Sequence, residues 1–343
     1  MLENAEDALM VGAIPMPANP SDPLLPFWVL AGPTACGKSS AALSLARSCP
    51  EARFEIVNGD AFQAYRGLEI LSAAPSMEDR AIVPHHLYGH VAPTEERDAA
   101  CHAREARQVI QEILHRGGTP LLVGGSGLYL KAVTHGLAEA PRGDEALRRA
   151  LELLSLEDLA SWLERLDPPT AAATNLKNRR YVTRNLEMIL LSGTPLSRLR
   201  EGWAVAEDCA VGRLTGILVL RDRAELHARI ARRVSAMFEA GVEQEVAALA
   251  GRLSRSAEKA IGVREIQSLL RGDIDQKACR EAITVATRQY AKRQLTWFRR
   301  ETWLRHVVLR EGMTEEELGA ALTDAAGRPP AAGTGGDADP LPA

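Results

Sequence analysis

The stretch Gly32-Pro33-Thr34-Ala35-Cys36-Gly37-Lys38-Ser39 fits the pattern G-x-x-x-x-G-K-[ST] without a mismatch. An apolar run at residues 27–31 precedes it, and a small-residue pattern typical of a helix follows at residues 40–46. A strand, a glycine-containing loop and a helix in this order turn successive backbone N–H groups toward an anion at the helix N-terminus. We therefore predict a phosphate loop at residues 32–39, and a simple glycine turn is the less favoured alternative.

The residue types of this loop suit a bound anion. Gly32 and Gly37 permit backbone angles that other residues rarely adopt, Lys38 would add positive charge to the phosphates, and the Ser39 hydroxyl would be a ligand of Mg²⁺. A helix N-terminus lowers the pKa of a neighbouring thiol, but packing against the loop is the favoured interpretation of Cys36. The motif is typical of nucleotide binding, yet it leaves open whose phosphates are held.

Composition sets broad limits on the function. The chain has 343 residues and a formal net charge of -4, which suits one large domain with an insertion, or two domains, and argues against indiscriminate coating of nucleic acid. Five scattered cysteines without C-x-x-C spacing indicate neither a disulfide framework nor a zinc ribbon and fit a reducing cytoplasm. The sequence has no basic and apolar leader and no apolar run of about 18 residues, so we expect neither secretion nor membrane insertion.

Strand and helix patterns alternate in the first part of the chain. Residues 53–57 predict a short strand ending in Asn58-Gly59-Asp60, residues 119–125 predict a buried strand and glycine turn, and residues 126–135 predict a helix. Thr94 predicts the start of an intervening helix that ends before the next strand. This alternation predicts a parallel, doubly wound sheet. Because ligands bind at the carboxyl ends of such strands, Asp60 is expected beside the phosphate loop.

The pattern changes in the middle of the chain. Residues 138–212 show helical segments and almost no strand pattern, whereas strand patterns return at residues 214–220 and 303–309. The sequence therefore predicts an α/β fold, with a P-loop doubly wound parallel sheet core (residues 25–137 and 213–325) and an all-helical insertion domain (residues 138–212). The composition of residues 1–24 and 326–343 predicts a disordered lead-in and a disordered tail.

A long helix predicted for residues 278–301 carries basic and aromatic stripes. At helical spacing the stripes are Arg288, Lys292 and Arg299; Arg293 and Arg300; and Tyr290 and Trp297. Cationic stripes beside aromatic side chains suit phosphate backbones and unstacked bases. A solvated basic face of an amphipathic helix has about equal weight from this segment alone.

Other polar residues leave several interpretations open. Asp60 is a candidate general base, a Mg²⁺ ligand through water, or a helix N-cap, and its expected place beside the phosphate loop favours a chemical role. Four histidines invite a metal interpretation, but hydrogen bonding is favoured because no closed tetrahedral set is nearby; they are His85, His86, His90 and His102. One arginine near residue 230 could reach a diphosphate; the candidates are Arg223, Arg229, Arg232 and Arg233.

With these residues in place, the chain resembles the tRNA dimethylallyltransferases, the bacterial type of the tRNA isopentenyltransferase family, over about residues 27 to 305. The most specific matching segment is Thr287-Arg288-Gln289-Tyr290-Ala291-Lys292-Arg293-Gln294-Leu295-Thr296-Trp297. The others are the phosphate loop, Asp60-x-x-Gln63-x-Tyr65-Arg66-Gly67, Pro84-His85-His86-Leu87, Leu122-Val123-Gly124-Gly125-Ser126-Gly127-Leu128-Tyr129, Arg184-x-Leu186-Glu187 and Ala260-Ile261-Gly262.

The resemblance implies transfer of a dimethylallyl group from dimethylallyl diphosphate to N6 of the tRNA adenosine at position 37, giving N6-isopentenyladenosine. It implies Asp60 as general base, Lys38 and Ser39 as further catalytic residues, and Ser39 as a ligand of Mg²⁺. The implied diphosphate-binding residues are Gly32, Pro33, Thr34, Ala35, Cys36, Gly37, Lys38, Ser39 and Arg233. The family grips the anticodon stem-loop between core and insertion.

The implied tRNA-binding residues are Asp60, Ala61, Phe62, Gln63, Ser126, Arg148, Arg180, Arg184, Gly262, Arg264, Lys292, Arg293, Gln294 and Trp297. The chain departs from the usual family pattern in several places. Cys36 and Ala61 replace serines, Asn58-Gly59 replace Ser-Val, and residues 176–181 differ from the usual Asp-Pro-Gln-Arg run.

Two other functions are compatible with a phosphate loop. A P-loop kinase of a small metabolite would consume ATP, but the predicted strand at residues 121–125 lacks the terminal Asp of a Walker B motif. A non-enzymatic RNA-binding module would give Lys38 and Asp60 no reason to be present. One active site built from one chain suggests a monomer.

Overall fold

The structure, a computed structural model, describes residues 27–136, 144–199 and 214–327. Its centre is a six-stranded sheet in the order β3-β2-β4-β1-β5-β6, in which every neighbouring pair is parallel. The strands are β1 Phe27–Ala31, β2 Phe54–Asn58, β3 His85–His86, β4 Thr119–Gly124, β5 Leu214–Arg221 and β6 Arg305–Leu309. The predicted α/β fold with a parallel sheet is confirmed.

Helices cover both faces of the sheet. The helices with both ends described are α1 Lys38–Ser48, α2 Glu69–Ser72, α3 Met77–Ile82, α4 Ala99–His115, α5 Gly127–Thr134, α6 Glu145–Glu152, α7 Leu156–Leu166, α8 Pro168–Ala172, α9 Arg179–Ser192, α10 Arg223–Glu239, α11 Val242–Ala248, α12 Val263–Leu270, α13 Gln276–Phe298 and α14 Glu315–Ala326. Short 3₁₀ turns lie at Pro50–Ala52 and Ala257–Lys259.

The position of β1 inside the sheet explains why its sequence is apolar throughout. Trp28 and Leu30 join the cluster that contains residues of α1, α10 and α14, whereas Phe27 and Val29 join the cluster that contains residues of α4 and α5. A strand covered on both faces has no solvated side, so polar alternation is absent. Since β1 lies between β4 and β5, the strand order reverses at β1, and the carboxyl end of β1 leads into the phosphate loop.

Helices α6 to α9 share an apolar cluster of their own. It contains Leu151 of α6, Leu159 and Leu163 of α7, and Val182 and Leu186 of α9, all at most 1% exposed. The boundaries predicted at 138 and 212 lie outside the described residues, so the division into core and insertion stays a prediction. The predicted lead-in (residues 1–24) and most of the predicted tail (residues 326–343) also lie outside them.

The predicted helix start at Thr94 is wrong. Pro93 and Thr94 form a turn, which is closed by a hydrogen bond from Glu95 N to Ala92 O at 3.0 Å. Helix α4 instead begins at Ala99, because the extended residue Asp98 accepts a hydrogen bond from Cys101 N at 2.7 Å. An Asp side chain that caps the first free N–H groups defines a helix start more strongly than the upstream threonine.

Candidate active site

The phosphate loop has the backbone shape that its sequence predicts. Gly37 is the N-cap of α1 at φ 101°, and Ala35 is also left-handed at φ 64°. A Cβ atom on Gly32 would lie 2.6 Å from Val219 O and 2.8 Å from Cys36 Sγ, so glycine alone fits against the neighbouring strand β5. Cys36 is fully buried, and burial raises the pKa of its thiol, which agrees with a packing role.

Two arginines hold the loop from the side of β5 and α10. Arg221 Nε donates to Cys36 O at 2.7 Å, and Arg229 Nε donates to Ala35 O at 2.9 Å. Burial, together with the charge of Arg221, lowers the pKa of Arg229. Arg221 was missed by the sequence analysis, although its place at the carboxyl end of a strand beside β1 is the position where ligand-site residues are expected.

Helix α13 also holds the phosphate loop in place, through Gln294. Gln294 Oε1 accepts a hydrogen bond from Thr34 N at 2.8 Å, while Gln294 Nε2 donates to Gly125 O at 2.8 Å. Gln294 therefore joins the phosphate loop to the turn after β4 and is only 5% exposed. This position favours a structural role over the tRNA contact predicted for Gln294.

The cationic side chains near the loop differ in their partners. Lys38 Nζ donates to Pro33 O at 2.9 Å, across the loop. Arg233 Nη1 donates to Thr34 Oγ1 at 2.9 Å. Burial lowers the pKa of Arg233, and the negative charge of Asp60 opposes that effect, so Arg233 lies within the electrostatic reach of both the loop and Asp60.

Asp60 is held in a turn at the carboxyl end of β2. Asn58 Oδ1 accepts from Asp60 N at 2.8 Å, and Asp60 Oδ1 accepts from Phe62 N at 3.0 Å. The following residues form turns, so the helix N-cap interpretation of Asp60 is wrong. The amide of Asn58 also donates to Leu87 O at 3.0 Å. Asn58, which replaces the residue usual in the family, thus adds a hydrogen bond between this turn and the loop after β3.

A buried histidine contacts the backbone of this turn. His102 Nε2 lies 2.8 Å from Asn58 O, so Nε2 is the protonated nitrogen of a neutral ring. Burial lowers the pKa of His102 to about 4. Its Nδ1 atom has no hydrogen-bond partner among the described residues.

Ser126 and Tyr290 complete the polar side of the site. Ser126 Oγ accepts from Ala61 N at 3.2 Å and lies 3.3 Å from Tyr290 Oη. Burial, followed by the charge of Asp60, raises the pKa of Tyr290 to about 12, so the phenol stays neutral at physiological pH. Trp297 packs its ring against Gly127, where a Cβ atom would lie 2.3 Å from the ring.

One cavity joins the phosphate loop to Asp60. Thr34, Asp60, Arg233 and Tyr290 line its polar side, which brings the phosphate loop and the carboxylate to one space. Its apolar side consists of Phe62, Leu71, Ile230, Val234, Met237, Ala260, Ile261 and Ile283. An anion at the loop with a short apolar chain attached fits this division, because the apolar part can leave water while the charge meets cations and backbone N–H groups.

The remaining predicted site residues do not line this cavity, and several of them are exposed. Lys292 and Arg293 of α13 are exposed, as are Arg180 and Arg264. Gln63 Nε2 donates to Ala73 O at 2.8 Å, and Gly262 is the left-handed N-cap of α12. Arg148 and Arg184 lie on α6 and α9, where both contact Glu187.

The histidines bind protein groups. His85 Nδ1 contacts Val83 O at 2.7 Å, His86 Nε2 contacts Glu55 Oε2 at 2.7 Å, and His90 Nε2 contacts Glu105 Oε2 at 3.0 Å. Within residues 27–136, 144–199 and 214–327 no three His, Cys, Asp or Glu side chains are grouped to hold a metal.

A family comparison agrees with this site. A sequence model described as IPP transferase matches residues 63–301. A protein named tRNA dimethylallyltransferase from Akkermansia muciniphila is 46% identical over 276 residues, 80% of this chain and 91% of that protein. One of the same name from Geobacter sulfurreducens is 41% identical over 286 residues, 81% of this chain and 90% of that protein.

The crystal structure of the full-length tRNA isopentenylpyrophosphate transferase from Bacillus halodurans is 32% identical, with a TM-score of 0.65 over 88% of this chain and 96% of that chain. Fold and site thus define a P-loop α/β protein of the prenyl-transferring class. The chain belongs to the IPP transferase family, which confirms the resemblance found in its motifs. None of the helices in the described ranges has the length and apolar character needed to cross a membrane.

Proposed function

We propose that this chain transfers a dimethylallyl group from dimethylallyl diphosphate to N6 of the adenosine at position 37 of tRNA, beside the anticodon. The observation that carries the proposal is the cavity itself, in which Asp60 and Thr34 of the phosphate loop line one space with apolar walls. Membership of the IPP transferase family supports the reaction class.

The residues have separate tasks in this reaction. The allylic C–O bond breaks, the N6–C bond forms, diphosphate leaves and the N6 proton moves to Asp60. The loop N–H groups, Lys38 and Arg233 stabilise the negative charge that grows on the leaving diphosphate. An adenine amine is a weak nucleophile because its lone pair is drawn into the ring, so a positioned carboxylate that accepts its proton lowers the barrier.

The surroundings of Asp60 support its role as a base. Its backbone N–H and Oδ1 are fixed by the turn with Asn58 and Phe62, so the carboxylate has a defined direction. The neutral phenol of Tyr290 lines the same cavity and can donate a hydrogen bond to a base or ribose group. The target base must leave its stack to enter the cavity, which is easier from an anticodon loop than from a duplex.

Mg²⁺ fits the donor set of the loop. Ser39 is exposed in the first turn of α1 and offers a hydroxyl. Mg²⁺ prefers oxygen ligands and commonly retains water while bound to substrate phosphates, so Ser39 and diphosphate oxygens would hold it. The ion would neutralise part of the charge on the leaving diphosphate.

The exposed cations around the cavity support a tRNA partner. Lys292 and Arg293 lie on α13, the helix that also carries Tyr290, which lines the cavity, and Gln294, which contacts the phosphate loop, so a bound anticodon stem-loop would lie near that loop. We expect the remaining residues of the predicted tRNA set to contribute around it. The cytoplasmic location and the monomeric state remain predictions.

The test is incubation with Mg²⁺, dimethylallyl diphosphate carrying labelled carbon, and an anticodon stem-loop with adenosine at position 37. We expect the label on that adenosine, and a stem-loop with guanosine at position 37 is the control. No transfer to several tRNAs that read codons starting with U would overturn the proposal. A kinase would instead consume ATP, and β4 ends in Val123-Gly124, so it offers no carboxylate at that place for such a reaction.

A further inference from the structure

A buried carboxylate links α6 and α9. Glu187 of α9 is 1% exposed, and its two oxygens accept three hydrogen bonds and make one further ion-pair contact. Oε1 is 2.7 Å from Arg148 Nε and 3.1 Å from Asp144 N. Oε2 is 3.3 Å from Arg148 Nη2 and 2.7 Å from Arg184 Nη1. Each oxygen thus has two nitrogen neighbours, and Arg148 contacts both oxygens of the carboxylate.

Both arginines nevertheless face solvent. Their side chains are 50% exposed for Arg148 and 41% exposed for Arg184, whereas the side chain of Glu187 is 2% exposed. A guanidinium has five N–H donors, and Glu187 engages two of Arg148 and one of Arg184. Each arginine therefore presents further donors outward from a fixed position.

We propose that Glu187 is a positioning residue, which holds Arg148 and Arg184 in the orientation that binds backbone phosphates of the tRNA anticodon stem-loop. The inference rests on the proposed function. An arginine already fixed by a buried partner loses little side-chain entropy when a phosphate binds, and its remaining donors match phosphate oxygens in pairs. Asp144, the N-cap of α6, is held by the same carboxylate, so the two helices keep the arginines in register.

Whether one substitution raises or lowers the RNA affinity distinguishes this positioning role from a simple charge effect. In Glu187→Gln the three-residue group gains one unit of positive charge, so long-range attraction alone would tighten RNA binding. Positioning has the opposite consequence, because an amide carries N–H donors at one end and so cannot accept from the donors around both oxygens of Glu187. The arginines then lose their common anchor, and binding weakens.

The experiment measures the Kd of a fluorescent anticodon stem-loop and the steady-state constants of both substrates. For Glu187→Gln we expect Kd and the KM for tRNA to rise about 10-fold, the size expected when charge-assisted phosphate contacts are misplaced. The KM for dimethylallyl diphosphate and kcat should change less than about 2-fold. Glu152→Gln, an exposed acid on α6, is the matched control and should leave Kd unchanged.

Two further sets of variants keep the inference open to refutation if Glu187→Gln unfolds. Arg148→Lys and Arg184→Lys retain the charge and lose the planar fork, so each should weaken stem-loop binding in the same direction. In an Arg148→Ala/Arg184→Ala background, Glu187→Gln should add no further loss. Binding by Glu187→Gln as tight as wild type, or tighter, overturns the positioning role, and so do unchanged Kd values in both lysine variants. A wild-type protein that neither binds nor prenylates the stem-loop overturns the proposed function itself.

Discussion

Arginine side chains are held in two different ways in this chain. At the phosphate loop, Arg221 and Arg229 donate to backbone carbonyl oxygens of Cys36 and Ala35, and Arg221 also pairs with Glu225 on α10. In the α6–α9 segment, Arg148 and Arg184 share the buried carboxylate of Glu187. A carbonyl acceptor is a dipole without net charge, whereas a carboxylate cancels one unit of positive charge. One carboxylate, Glu225, thus lies beside the two loop arginines, which also bind loop carbonyls, whereas Arg148 and Arg184 share Glu187.

The difference indicates what each group of cations can do. At the loop, the charges are partly buried, so they act at short range on an anion in a medium that screens little. In the α6–α9 segment, the charges are half exposed and screened by salt, so they act on binding and orientation. Changes at the loop should therefore reduce kcat, and changes among exposed cations should reduce tRNA affinity.

The largest expected effect is at Asp60, on the loop side of the comparison. Asp60→Asn keeps the size of the side chain and the acceptor for Phe62 N, but it removes the base. We expect kcat to fall about 1,000-fold, within the range for general-base catalysis, while the Kd of the stem-loop stays near wild type. Single-turnover assays with saturating substrates measure this, and turnover close to wild type would show that another group accepts the proton.

The second-largest expected effect is that of replacing Arg233, which lines the cavity and donates a hydrogen bond to Thr34 Oγ1 of the phosphate loop. Arg233→Gln retains a donor and loses the charge, so the leaving diphosphate is less well stabilised. We expect kcat to fall about 100-fold, typical for loss of one preorganised charge-stabilising donor. Arg232→Gln is the matched control, since its side chain is 63% exposed and pairs with Glu311. An Arg233→Gln variant that raises only the KM for tRNA would contradict the division between loop and surface cations.

The turn that holds Asp60 should make stability depend on pH. In the folded protein burial lowers the pKa of His102 to about 4, below the usual 6.5. The unfolded chain therefore binds more protons than the folded one between these values, and stability falls as the pH drops through this window. We expect a loss of about 2 kcal/mol between pH 7 and pH 5 from this residue.

Urea unfolding at the two pH values measures this loss. His102→Gln is the control, because a Gln amide can donate to Asn58 O without titrating. Its stability should change less between pH 7 and pH 5 than that of wild type. Equal pH dependence in the two proteins would mean that His102 is not the group responsible.

The core of this site could be predicted because its determinants are local in sequence. The phosphate loop needs only consecutive residues, and the rule that parallel strands end at one edge brings Asp60 to it. The ties from Arg221, Arg229 and Gln294 join residues far apart in the chain, 260 positions in the case of Thr34 and Gln294. No local pattern encodes such contacts, and a single sequence offers no other way to find them.

Two other features also depend on contacts that no local sequence pattern encodes. The start of α4 was misplaced because Thr and Asp are both good N-cap residues. Only the fold decides that Asp98, and not Thr94, is followed by helical residues with free backbone N–H groups. Glu187 occupies a helical position where an acid is commonly exposed, and its burial follows from the packing of α6 on α9. The apolar side of the cavity likewise combines residues from α2, α10 and α13 with residues of loops.

The smallest expected effect concerns the exposed cations of α13. Replacing Lys292 and Arg293 by Ala should weaken stem-loop binding about 10-fold at physiological salt and reduce the slope of log Kd against log salt by about 1.4, which is 0.7 for each lost phosphate contact with single-stranded RNA. Because neither side chain lines the cavity, kcat with saturating tRNA should stay within about 2-fold, in contrast to the Arg233 variant.

Lys277→Ala is the matched control for this pair. Lys277 is exposed on the same helix but lies 15 residues before Lys292, about 22 Å along the axis at 1.5 Å per residue. If net charge alone governed attraction, the control would reduce affinity and salt dependence as much per charge as the pair does. If the position on α13 matters, the control changes neither. A fall in kcat for the Lys292 and Arg293 variant would break the comparison, because exposed cations would then act on the chemical step.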